Sequence, residues 1–165
     1  DTYSEFNGYI KSIKNKKVSK KVSDGYSVCV VTVDADVSKL NNTIRFEAHV
    51  NSEVRHEDEM KFTVVSNKLG KVAVFNYNGN KYYKIQEVTI AAKNRQVVLP
   101  YDNSKKIVAR LPFGKNESKE LLTFVFTEGD VEFKNDYSSA ELKNVIASIP
   151  PTDRKVVNRY VNIVR

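Results

Sequence analysis

The sequence has one cysteine, Cys29, and no tryptophan among its 165 residues. A single thiol excludes an internal disulfide and any cysteine-based metal cluster. Histidine is nearly as scarce, with His49 and His56 the only two. Ser52 lies near both, but no nucleophile signature flanks either one, so enzymatic chemistry is not expected. The six glycines are scattered singly at turn-like positions, which excludes a phosphate-cradling loop. Long hydrophobic runs are missing too. The longest, Val28 to Val33, already contains Thr32 and falls far short of the ~20 apolar residues a membrane-spanning helix needs, so no membrane span is expected. There is no signal-peptide pattern. The chain opens on Asp1 rather than methionine, as would follow removal of a leader or excision from a larger parent.

Acidic residues are outnumbered, 20 against 27 basic ones, for a net charge of +7. With 41% hydrophobic and 28% charged residues the composition is that of a globular protein, and the length suits one domain. The surplus of positive charge is concentrated. Lys11, Lys14, Lys16, Lys17, Lys20 and Lys21 fall within eleven residues. So many ammonium groups face water or an anionic partner, and nucleic acid is the commonest polyanion. A run of like charge is also often a solvated face with no dedicated partner.

Hydrophobic patterning is mostly that of strands. Thr43 to Val50 alternates, with Ile44, Phe46, Ala48 and Val50 on one face and Arg45, Glu47 and His49 on the other. Tyr26 to Val37 is a β-rich run after a turn at Ser23-Asp24-Gly25, and Cys29 reads as an inert thiol in a strand buried on both faces. Lys61 to Val65, Glu87 to Ala92, Gln96 to Leu99 and Lys106 to Leu111 read as further strands, with Leu121 to Phe133 as a hairpin about Glu128-Gly129. Val72 to Tyr77 and Asn80 to Ile85 flank Asn78-Gly79, a strong hairpin signal because both turn residues tolerate positive φ.

Two segments read as helical. At the start, Thr2 with Glu5 makes a capping box and Tyr3, Phe6, Ile10 and Ile13 follow helical spacing, which favours a short helix over a strand. At the end, Ser138 with Glu141 caps a helix bearing Leu142, Val145, Ile146 and Ile149 on one stripe. Pro150-Pro151 breaks it, and Thr152 opens a second helix with Val156, Val157, Tyr160, Val161 and Val164 on one face. The expected fold is therefore mainly β (α+β): an antiparallel β-sandwich or small β-barrel of about eight strands. A short N-terminal helix precedes it, and an αα-hairpin over 138–165 packs on the sheet. The whole chain, 1–165, reads as a single β-rich domain.

In a two-residue hairpin, Phe75 stands opposite Tyr82, Tyr77 opposite Asn80 and Ala73 opposite Lys84. Phe75, Tyr77, Tyr82 and Lys84 then share a face, a mixture of rings and cations suited to stacking bases and neutralising phosphates. The competing reading has a second sheet or the C-terminal helices covering those rings. Glu53, Glu57, Asp58 and Glu59 cluster around Arg55 and His56 in a polar loop without the ligand spacing of a calcium site. This loop reads as solvated, or as a counter-patch for the lysine run of a neighbouring copy. The leading functional reading is a non-enzymatic protein binding single-stranded nucleic acid, with the six lysines attracting phosphates and the aromatics stacking bases. The rival is a structural subunit of a virion, surface appendage or secretion assembly that self-associates into a homo-oligomer. No cofactor or metal is called for.

Overall fold

The structure, a computed structural model, describes residues 8–23, 26–39, 44–101 and 106–165, and within the first two strands the side chains at 12–20 and 29–36. The chain groups into two compact units, Asp1–Asn42 and Thr43–Arg165.

The first unit is a two-stranded antiparallel ribbon of β1 (Gly8–Ser23) and β2 (Tyr26–Lys39). Pairing runs from Gly8↔Lys39 to Ser23↔Tyr26, with register shifts between Ile10 and Ser12 and between Ile13 and Asn15. The turn expected at Asp24-Gly25 lies outside the described residues, as does the N-terminal helix up to Asn7. Beyond that the helix is overturned, because Ile10 and Ile13 lie on β1 opposite Val37 and Ala35. Gly8 interrupts the helical pattern, and the valine-rich β2 offers cross-strand partners throughout.

The second unit contains β3 (Phe46–Val50), β4 (Glu53–Arg55), β5 (Glu59–Met60), β6 (Phe62–Ser66), β7 (Gly70–Tyr77), β8 (Lys81–Ile90), β9 (Val97–Leu99), β10 (Ile107–Val108), β11 (Glu117–Thr127), β12 (Asp136–Ser138), α1 (Ser139–Ser148) and β13 (Arg154–Val164). Six strands form one sheet in the order β12-β8-β7-β11-β13-β4, three form another in the order β3-β6-β9, and β10 pairs with β5. All described pairings are antiparallel except β13 with β4. None of the sheets closes into a barrel. The mainly-β class holds.

The core forms where the two larger sheets meet. Phe46, Ala48, Phe62, Val64 and Leu99 of the three-stranded sheet cluster with Val72, Val74, Leu122, Phe124, Phe126 and Val161 of the six-stranded one. Phe46 stacks on Phe126 at 5.4 Å between centroids, and Phe62 meets Phe124 edge-on at 5.8 Å, geometries that add to simple area burial. The alternation read in β3 is reproduced, with Phe46 and Ala48 buried and Glu47 and His49 exposed. Gly70 is required at the start of β7: a Cβ there would lie 2.0 Å from the Thr127 carbonyl oxygen.

Several expectations are corrected. The first C-terminal helix is present as α1, with the capping box at Ser138 and Glu141 and with Leu142 and Ile146 buried. The hydrogen bonds from the Ser138 backbone and side chain hold the Glu141 carboxyl below its ordinary value. The second helix is strand β13, so there is no αα-hairpin. Valine and isoleucine lose side-chain freedom in a helix and suit a sheet, and β13 pairs with β11 along its whole length, Arg154↔Thr127 to Val164↔Glu117. The Arg154 guanidinium donates to the carbonyls of Ile146 and Ile149, satisfying acceptors at the end of α1. After Thr127, Val131–Phe133 forms no strand, so the hairpin expected about Glu128-Gly129 is replaced by pairing of β11 with β7 and β13. The polar segment 53–59 is not wholly loop, since β4 pairs with β13 and β5 with β10.

Candidate functional site

The β7–β8 hairpin is present, but with a longer connection than a two-residue turn. Asn78 Oδ1 accepts from the amides of Asn80 (3.1 Å) and Lys81 (2.9 Å), and the Asn78 amide donates to the Lys81 carbonyl (3.2 Å). This asparagine-centred turn displaces the register by two, so Tyr77 stands opposite Tyr82 and Phe75 opposite Lys84. A shift of two preserves the faces, so the four residues still share one side of the sheet.

That side is largely covered. Phe75 is 0% exposed and Tyr82 6%, with Phe133 and Tyr137 packed edge-on against Phe75 at 5.6 and 5.9 Å. Burial pushes the Tyr82 phenol up in pKa, and Tyr77 and Tyr160 add to the effect. Tyr77 is half-buried, lies against Tyr82 at 4.7 Å and donates its hydroxyl to the Gly79 carbonyl. Lys84 is held by the Phe133 carbonyl (2.7 Å) and Glu87 (2.8 Å). The exposed stacking face expected from Phe75, Tyr82 and Lys84 is thus corrected to an interior one. Ring-sized apolar groups gain more from burial than from water, and Phe133 and Tyr137 supply the cover.

The lysines fall on β1. Lys14, Lys16, Lys17 and Lys20 are exposed, and Lys14 pairs with Asp36 at 2.8 Å. Lys11 and Lys21 lie on the same strand, their side chains outside the described residues. Because partners across a ladder point to the same face, the register puts Ile13, Lys16, Val18, Lys20, Cys29, Val31, Val33 and Ala35 on one face of the ribbon. Ser12, Asn15, Lys17, Ser19, Val30, Thr32, Asp34 and Asp36 take the other. The second face is tied by Ser12 to Asp36 (3.1 Å) and Asn15 to Asp34 (3.2 Å). On the first, Ile13, Val18, Val31 and Val33 are 45–59% exposed.

Cys29 is exposed as well, which overturns the buried thiol. The valine-rich run resembles a doubly buried strand, yet a two-stranded ribbon has no second layer of its own. The exposed apolar face escaped the sequence reading for the same reason. The pattern of Val31, Val33 and Ala35 at alternate positions was visible, but not that nothing in the ribbon covers it.

The acidic segment makes no metal centre, and no cluster of three or more ligand side chains occurs among the described residues. His56 Nδ1 accepts from the Leu111 amide at 3.2 Å, and His49 is exposed beside Glu47 at 3.4 Å. Ser52 accepts, through its carbonyl, the Asn162 amide. Among the described residues, no helix is long and apolar enough to cross a membrane.

A groove of about 770 Å³ lies in the second unit, lined from β8 by Glu87, Val88 and Thr89, from β9 by Val97 and Val98, and by Lys61, Ala91, Arg95, Pro100 and Tyr101. Val98 is 52% exposed and Tyr101 81%. No protein-family model matches the chain, and no curated protein matches it.

Proposed function

We propose that this protein is a structural subunit that assembles with copies of itself, a β-sandwich bearing a β-ribbon through which neighbouring subunits join. Such subunits build virions, surface appendages and secretion complexes. The reading is carried by the ribbon's first face, where Ile13, Val18, Val31 and Val33 are exposed together. An isolated two-stranded hairpin is at best marginal in water, and covering each of these side chains, already about half covered, gains about half of the ~1.5–3 kcal/mol of full burial. An exposed face on which apolar side chains cluster beside Lys16 and Lys20 marks an interaction surface.

The test is the mass of the full chain in solution by light scattering across a range of concentrations. The native chain is expected to exceed the monomer mass. Val18→Ser, Val31→Ser and Val33→Ser combined should bring it toward the monomer without lowering the melting temperature of the second unit. A mass unchanged by the triple substitution would refute the reading.

A second reading, polyanion binding by the same ribbon, is favoured by the four exposed lysines of β1. It no longer draws on Phe75 or Tyr82. Replacing Lys14, Lys16, Lys17 and Lys20 with glutamine should weaken binding of a labelled oligonucleotide and flatten its dependence on log salt, because fewer counterions are released. An unchanged affinity and salt slope would remove nucleic acid from consideration.

A further inference from the structure

We propose that the groove between β8 and β9 binds a free long-chain aliphatic carboxylate, with the head group at Arg95 and the hydrocarbon laid along the apolar floor. The site lies wholly within the second unit and is independent of the assembly reading.

The floor follows from the sheet register. β8 belongs to the six-stranded sheet and β9 to the three-stranded one, and both line the groove. Val88 stands opposite Val72 on β7, and Val97 opposite Val64 on β6. Val72 and Val64 are fully buried, so the register turns Val88 and Val97 toward the same interior. Both pack against the core and are only partly buried. Val98, 52% exposed, and Tyr101, 81% exposed, add apolar surface at the rim. A concavity of about 770 Å³ that opens onto core side chains falls within the range of small-molecule sites, about 300–1,000 Å³.

Charge selects the class of ligand. Lys61 and Arg95 line the groove, exposed, and make no ion pair among the described residues. The ladder sets them at opposite ends of β9, because Lys61 precedes Phe62, which pairs with Leu99, whereas Arg95 lies before Val97. Glu87, a carboxylate in the lining, is already held by Lys84 at 2.8 Å. Cations at the rim of an apolar floor suit an anion that carries hydrocarbon. The planar guanidinium of Arg95 matches the two oxygens of a carboxylate. From Arg95 to Tyr101 the chain spans about 20 Å at a strand's rise per residue, room for an alkyl chain of roughly a dozen carbons. At the far end, Lys61 lays its stem beside the chain and keeps its ammonium in water.

The probe is laurate, titrated calorimetrically below its micellar range. Saturable binding of one equivalent per chain is expected. From octanoate to laurate the affinity should rise about twofold per methylene, because an open groove covers about half of each one. Arg95→Gln should weaken laurate about fivefold, the scale of an exposed charge-assisted contact, and dodecanol should bind the native chain about fivefold more weakly than laurate. Val98→Asp should weaken both ligands. Arg95 and Val98 are exposed, so both variants should keep the native melting temperature. Arg110→Gln, exposed and outside the groove lining, removes the same charge elsewhere and should leave laurate unaffected. Absence of saturable laurate binding would overturn the site, as would an affinity indifferent to chain length or to Val98→Asp. Equal affinity for laurate and dodecanol, or equal losses in Arg95→Gln and Arg110→Gln, would overturn the carboxylate at Arg95. Binding to phosphatidylglycerol vesicles without binding of free laurate would overturn the groove in favour of a bilayer surface.

Discussion

Truncation at Thr152, which removes residues 152–165, is expected to abolish cooperative folding of the second unit. β13 is an inner strand, paired with β11 over eleven residues and with β4 on its other side. Val156, Val161 and Ile163 are buried. Those three side chains alone represent about 5–9 kcal/mol of burial, comparable with the whole stability of a domain, about 5–15 kcal/mol. Loss of the strand also strips the backbone partners of β11, whose last seven residues are all buried. Thermal melting and light scattering of the truncated chain decide the matter. Aggregation or a featureless melt is expected, and a soluble monomer that melts cooperatively would show that β13 is dispensable.

Phe75→Ala is expected to destabilise the second unit by about 3–5 kcal/mol, the range for a buried aromatic truncated in a core. The ring is fully enclosed, with Phe133 and Tyr137 edge-on against it, so its removal leaves a cavity and takes contacts from two other aromatics. Tyr77→Ala, at a half-buried position, should lose less, about 0.5–3 kcal/mol, as for most single substitutions. Urea denaturation of the two variants measures both. A loss below about 1 kcal/mol for Phe75→Ala would mean that the face is open to solvent. In that case the ring would again be a candidate for stacking, readable as lost oligonucleotide affinity in the same variant.

The two predictions turn on the same distinction, between what a local pattern shows and what covers it. The strands at Phe46–Val50 and Phe62–Ser66 were legible because each alternates between core and solvent or is densely apolar, and a period of two has one structural meaning. The turn at Asn78-Gly79 was legible from its residues, although the asparagine side chain's own hydrogen bonds set a longer loop than the dipeptide suggests. Helix α1 was legible from its capping box, a contact made within four residues.

Residues 154–164 were not legible. Val156, Val157, Tyr160, Val161 and Val164 satisfy helical spacing, and the decision for a strand came from β11, more than thirty residues away in sequence on average, which offers a ladder no local signal announces.

The sequence by itself determined the mainly-β class, the turn at Asn78-Gly79, the cap of α1, the crowding of six lysines into eleven residues, and the exclusion of disulfide and cysteine–metal chemistry. All of these depend on neighbours along the chain or on composition. Only the tertiary structure decided that Phe75 and Tyr82 lie inside while Val18, Val31, Val33 and Cys29 lie outside. Both strand pairs carry apolar residues on at least one face. Burial depends on whether another layer lies over that face: Phe133 and Tyr137 cover Phe75, whereas a two-stranded ribbon has no second layer of its own.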